Sequence, residues 1–112
     1  MTRRILKNLA PLLLALPLSL LSACGAPTGL DICYMTCDYQ KKCLSSSDTD
    51  YTNCRNNCNG KKGSLSDDDA QLAKDCKNAG DIRNKQAACF SKACTEVPGC
   101  LISSDTNACV KP

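Results

Sequence analysis

Cysteine constrains this chain more than any other residue type. Eleven of its 112 residues are cysteine. Ten of them form an even set that can pair completely in an exported protein, namely Cys33, Cys37, Cys43, Cys54, Cys58, Cys76, Cys89, Cys94, Cys100 and Cys109. From Cys24 onward, Leu, Ile, Val and Phe together number only 11. So few apolar side chains cannot offset the conformational entropy of folding, whereas each disulfide stabilises by about 2–4 kcal/mol. We therefore predict five disulfides.

Residues 1–23 have the layout of a secretory signal peptide. Met1 to Asn8 is basic, Leu9 to Leu21 is apolar, and small residues follow. The apolar run is shorter than the about 20 residues that cross a bilayer. Because three of the 14 basic residues lie in this segment, 11 basic and 11 acidic residues remain from Cys24 onward. The neutral remainder predicts no nucleic-acid partner.

The end of that segment carries a four-residue motif. Leu21-Ser22-Ala23-Cys24 resembles the lipobox of bacterial lipoproteins. The resemblance implies cleavage before Cys24, a diacylglyceryl group on its sulfur and an N-acyl chain on its new amino group, and therefore a membrane partner through the lipid anchor. Gly25 in place of Asp resembles outer-membrane lipoproteins, facing the periplasm or the exterior. The alternative is that Cys24 is an ordinary disulfide partner, but then the cysteine count would be odd.

The remaining chain predicts an all-α, small disulfide-rich helical domain. Residues 24–29 read as a lipidated tether, and 30–112 as one domain with a hairpin (30–60), a second helical part (65–93) and a Cys-rich irregular tail (94–112). Periodic apolar residues predict helices over 30–44, 49–58, 65–79 and from Asp81 to about residue 93. The sequence contains no period-2 alternation of any length, so no strand is predicted.

Local signals place the helix ends. Thr28 or Asp31 can cap the first helix. Ser66 with Asp69 approximates a capping box for the third, and Gly80 is expected to end that helix.

Twin CxxxC elements predict how the hairpin closes. Cys33 with Cys37, and Cys54 with Cys58, each place two sulfurs on one helix face. An antiparallel pair of helices then favours Cys33–Cys58 and Cys37–Cys54, while a shifted register would join Cys37 to Cys58 and Cys43 to Cys54. The spacing resembles the helical hairpins of small chaperones of the mitochondrial intermembrane space. In the first register, Cys43 is left over, so parity requires at least one bridge from the hairpin to the second half.

Residue types exclude most catalytic chemistry. Histidine is absent, which removes Ser–His and Cys–His nucleophile pairs and histidine metal sites. CxxC redox and zinc-knuckle spacings are also missing. Asp67-Asp68-Asp69 fits a helix start, and the loop from Asp48 lacks the Gly and Glu of an EF-hand. We predict no enzyme, no metal and no cofactor beyond the lipid on Cys24.

Three of the four aromatic residues, Tyr34, Tyr39 and Tyr51, fall on the predicted hairpin. The favoured interpretation is that they pack across it and cover the bridges. The alternative is an exposed contact site, since tyrosine is enriched at binding hot spots.

These expectations combine into a monomeric, non-enzymatic envelope interaction module with an envelope protein as partner. The alternatives are a structural component cross-linked between chains and a thiol-based metal or redox protein.

Overall fold

The computed structural model describes residues 25–112, so the signal peptide and Cys24 lie outside the described residues. Six helices run through this part of the chain: α1 (Gly29–Cys43), α2 (Asp48–Gly60), α3 (Lys62–Asp75), α4 (Ala79–Cys89), α5 (Val97–Ile102) and α6 (Ser104–Asn107). No strand occurs between residues 25 and 112. The predicted all-α, disulfide-rich fold is confirmed.

The first two helices form the hairpin. The Thr28 hydroxyl accepts the Asp31 N–H, and the Asp31 carboxylate accepts the Thr28 N–H, so both predicted capping residues act in one capping box. Ser47 caps α2 by accepting the Asp50 N–H. Because α1 and α2 are antiparallel, the end of α2 lies beside the start of α1, where the Tyr34 hydroxyl donates to Asn59 Oδ1.

The third helix differs from its prediction at both ends. It begins at Lys62, and its N-cap residue, Lys61, makes no side-chain cap. The predicted capping box of Ser66 and Asp69 is therefore wrong, because Asp69 lies inside the helix and contacts other elements. The helix ends at Asp75 because Cys76 takes an extended conformation.

The second half differs from its prediction in the bounds of α4 and in the helices of the C-terminal tail. Gly80 lies inside α4 and does not stop the preceding helix. Helix α4 stops at Cys89, earlier than expected. The tail predicted to be irregular forms α5, with Pro98 in its first turn, and α6. Both short helices contact α4, while α1 contacts α3 and α4.

Disulfides make up most of the buried core. The most buried hydrophobic residues within 25–112 are Cys37, Cys58, Cys76, Ile82, Cys89 and Val97. Only two of these six are not cysteine. The sulfur bridges therefore occupy the volume that aliphatic side chains fill in larger domains.

Candidate functional site

All ten predicted cysteines are in five disulfides. The structure joins Cys33 to Cys58 and Cys37 to Cys54, with Cα–Cα distances of 5.8 Å in both pairs. These are the pairs of the favoured register, and the shifted register does not occur. Cys43 pairs with Cys94 across 51 residues of sequence, which is the link between halves that parity required. The remaining pairs are Cys76–Cys109 and Cys89–Cys100.

The two hairpin bridges lie against each other. Cys37 Sγ and Cys58 Sγ are 3.7 Å apart, and the sulfurs of Cys37, Cys54 and Cys58 all lie within 4.8 Å of one another. Thiolate is the metal-binding form of cysteine, and each of these sulfurs is in a disulfide. The cluster could therefore bind a soft metal ion only after both bridges were reduced.

Two of the three predicted tyrosines surround an arginine on the hairpin. The Arg55 guanidinium lies 4.3 Å from the centroid of the Tyr34 ring and 5.7 Å from that of Tyr51. The Tyr51 hydroxyl donates to Asp38 Oδ1 at 2.7 Å, and Arg55 Nη1 lies 4.0 Å from the same oxygen. We call Tyr34, Tyr51 and Arg55 the Tyr–Arg–Tyr cluster. Its side chains cross from α1 to α2, and all three residues remain half-buried.

Tyr39 lies on a different side of α1. Its ring meets the Phe90 ring edge-on, with centroids 6.5 Å apart and planes at 60°. Tyr39 therefore packs toward the end of α4 and not across the hairpin. Together with Met35, Cys43 and Phe90 it lines a cleft of 220 Å³. Tyr34 and Tyr51 therefore pack across the hairpin as predicted and Tyr39 does not, while all three stay partly accessible.

A second cleft connects this face to the start of the domain. Its volume is 400 Å³, and it is lined by Gly25, Ala26 and Pro27 on one side and by Asp31, Tyr34 and Met35 on the other. Met35 borders both clefts. One continuous face of α1 therefore runs from the residues after Cys24 to the Tyr39–Phe90 contact.

The segment predicted as a tether is fastened to the body. The Gly29 N–H donates to both carboxylate oxygens of Asp69, at 2.9 and 3.0 Å. Arg83 donates to the same carboxylate from Nη2 at 2.8 Å. Ala26 also packs against α4, because a Cβ built on Gly80 would lie 3.5 Å from the Cβ of Ala26. Residues 26–29 therefore hold a defined position against α3 and α4.

Sequence reasoning missed Arg55, Phe90, Asp69 and Arg83 as partners in this arrangement. Only Arg55 had a local signal, because it follows Tyr51 by four residues on one helix face. The other three act through contacts between distant segments.

Within residues 25–112 no helix has the length and apolar character needed to span a bilayer. No family model, no curated protein and no solved structure matches this chain.

Proposed function

We propose that the chain is a lipid-anchored, disulfide-stabilised envelope lipoprotein that acts as a non-enzymatic interaction module. In this proposal Cys24 carries the diacylglyceryl and N-acyl chains in the outer membrane, and the outer face of α1 and α2 binds an envelope protein. The observation that supports a contact surface here is the Tyr–Arg–Tyr cluster. It is half-exposed and lies on a face continuous with Gly25–Pro27.

The cluster has the properties of a binding hot spot. Tyrosine and arginine are enriched among residues whose truncation costs most binding energy. Here the guanidinium is held between two rings and near Asp38, and two disulfides fix the helices beneath it. Binding would then order few side chains, and rigid surfaces lose less entropy on association.

The fastening of residues 26–29 supports a body held close to the membrane. Ala26 rests near Gly80, and one residue spans at most about 3.6 Å. A lipidated Cys24 would then stand no more than about 7 Å from Ala26. Two or three acyl chains would anchor it stably, since each buried CH₂ contributes about 0.8 kcal/mol.

Intact mass tests the anchor. Protein isolated from the envelope is expected to begin at Cys24 and to carry acyl chains, and reduction should add about ten hydrogens for five bridges. The Cys24→Ser variant is the control and should lose the acyl mass. A mature mass without acyl chains would contradict the proposal.

Site-specific photo-crosslinking in cells tests the contact surface. A benzophenone amino acid is placed at position 34, at position 51, or at the control position 74 on α3. We expect one discrete adduct from positions 34 and 51 that weakens with Arg55→Ala, and no such adduct from position 74. Equal labelling from all three positions would remove the proposed surface.

Two alternatives make distinct predictions. In a cross-linked structural component, some cysteines would bridge chains, yet the five intrachain pairs occupy all ten cysteines of residues 25–112. A thiol-based metal protein is favoured by the sulfur cluster of Cys37, Cys54 and Cys58. The same mass measurement decides, because free thiols in the native protein would support the metal alternative.

A further inference from the structure

The cleft beside Tyr39 has an apolar floor. Met35, Tyr39, Cys43 and Phe90 line it, and its volume is 220 Å³. Pockets for drug-sized ligands occupy about 300–1,000 Å³, so this cleft is too small for such a ligand. Its size and lining fit one large apolar side chain.

The rim of the cleft is positively charged. Lys42 and Lys92 border it, and among residues 25–112 Asp38 supplies its one carboxylate. Asp38 is engaged by the Tyr51 hydroxyl and lies near Arg55. Across the described part of the chain, neither Lys42 nor Lys92 has a carboxylate within 4.0 Å. Two lysines without acidic partners therefore flank the apolar floor.

From this combination we propose that the cleft binds an acidic peptide segment of the partner, with an aromatic or leucine side chain between carboxylates. The apolar side chain enters the cleft against Met35, Tyr39 and Phe90, and the carboxylates face Lys42 and Lys92. This inference rests on the proposed interaction module and names the chemistry of its partner. The two sites are continuous, because Met35 lines both clefts and Asp38 joins the cleft to the Tyr–Arg–Tyr cluster.

The geometry assigns different roles to floor and rim. Apolar burial supplies affinity, whereas the exposed lysines supply charge preference and faster association. Exposed charge pairs are screened by salt over a Debye length of about 8 Å at physiological ionic strength. Binding is therefore expected to weaken as salt rises, but not to vanish.

Fluorescence anisotropy with a labelled Glu-Glu-Phe-Glu-Glu peptide tests the proposal on the full chain, exported, oxidised and purified in detergent. Comparison peptides replace Phe by Ala or every Glu by Lys. We expect the acidic Phe peptide to bind at least about tenfold more tightly than either comparison peptide. Equal binding of the acidic and basic peptides would overturn the proposal.

Charge reversal on the protein locates the site. Lys42→Glu with Lys92→Glu should weaken the acidic peptide by about tenfold or more and favour the basic one. Lys74→Glu with Lys77→Glu is the matched control, since it makes the same charge change away from the cleft lining. All four lysines are exposed, so both variants should fold, and unchanged circular dichroism verifies this. Equal weakening by both pairs would show nonspecific charge attraction and overturn the proposal.

The peptide result is separable from the proposed function. Loss of peptide preference with a persistent adduct from positions 34 and 51 would reject only the acidic segment. Absence of that adduct would reject the interaction surface itself.

Discussion

At the scale of single residues, the contact of Gly29, Asp69 and Arg83 holds the start of the domain against α3 and α4. One carboxylate accepts the Gly29 N–H and the Arg83 guanidinium. Only 29% of the Asp69 side chain and 17% of the Arg83 side chain are exposed. A charge pair this buried is costly to break, because the remaining partner keeps its desolvation penalty. Asp69 therefore joins α1, α3 and α4.

Asp69→Ala is expected to lower the free energy of unfolding by about 1–3 kcal/mol, since it leaves Arg83 and the Gly29 N–H without their acceptor. Asp69→Asn should cost less, because its oxygen still accepts a hydrogen bond. Guanidinium denaturation measures both. The control is Asp67→Ala on the exposed side of α3, expected within about 0.5 kcal/mol of the wild type. Equal effects at positions 67 and 69 would contradict this role.

The same carboxylate explains why residue 29 is a glycine. An added Cβ would lie 3.2 Å from Asp69 Oδ1 and 3.4 Å from Arg83 Nη2, whereas nothing lies within 4 Å of a Cβ at Gly63. Gly63→Ala should stabilise by up to about 1 kcal/mol through helix propensity. Gly29→Ala should lose that gain because the ion pair must shift. Thermal melts compare the two variants, and an equal rise in Tm would show that the approach at Gly29 is unimportant.

At the scale of elements, the sequence predicted features whose cause is local. The capping residue Thr28 and the hairpin register depend on spacing within a few turns of helix. The ends of α3 depend on distant partners. The spacing of Asp69 from Ser66 fits a capping box. In the structure its carboxylate instead accepts the N–H of Gly29, which lies 40 residues away in the sequence.

The other end of α3 has a similar explanation. Cys76 leaves the helix to bridge Cys109, and the next N–H, on Lys77, donates to Val110 O at 2.8 Å. Neither partner is visible in local periodicity. For the candidate site, the positions of Tyr34 and Tyr51 followed from the hairpin, whereas the Tyr39–Phe90 contact needed the tertiary fold.

The turn between α1 and α2 should respond to acid. Lys41 Nζ donates a hydrogen bond to Asp48 Oδ1. This hydrogen bond and the attraction of the lysine charge lower the pKa of Asp48 from 3.8. A lowered carboxyl pKa stabilises the fold above the unfolded value, and that stability is lost as the pH falls through the folded value. Asp48→Asn should therefore lower Tm at pH 7 and have progressively less effect below about pH 4. The pair is exposed to solvent, so the change should be small.

Lys41→Gln provides the control for that titration. In this background Asp48→Asn should no longer show the part of the pH dependence that comes from the ion pair. A pH dependence of the same size in both backgrounds would assign it to the helix N-terminus, where acids are also favoured.

At the scale of the whole molecule, one bridge joins the hairpin to the second half. Cys43–Cys94 closes 51 residues of sequence, more than any other pair. The loop-entropy model gives about 4 kcal/mol for a loop of this size. Cys43→Ser with Cys94→Ser should therefore lower the free energy of unfolding by about that amount. The comparison is Cys33→Ser with Cys58→Ser, which removes the bridge that closes 25 residues. The loop term of this bridge is smaller, so its loss should lower the free energy of unfolding less through that term, although Cys58 is also buried.

Reduction of all five bridges should unfold the domain. It removes the constraint on the unfolded chain and also disrupts the core. Of the six most buried hydrophobic residues within 25–112, four are bridged cysteines and the other two are Ile82 and Val97. Two aliphatic side chains bury far too little apolar surface to offset the entropy of ordering the chain, about 1–2 kcal/mol for each backbone residue. Far-UV circular dichroism should therefore lose most of its helical signal when a phosphine reductant is added at neutral pH without denaturant.

The control for reduction is the same chain after removal of the reductant and reoxidation, which should restore the helical signal and the five-bridge mass. Alkylation of the reduced thiols should prevent that recovery. A reduced, alkylated protein that kept its helices and a cooperative melt would show that side-chain packing alone carries the fold. It would also weaken the contact surface argument, since the rigidity of the hairpin beneath Arg55 is attributed to its two disulfides.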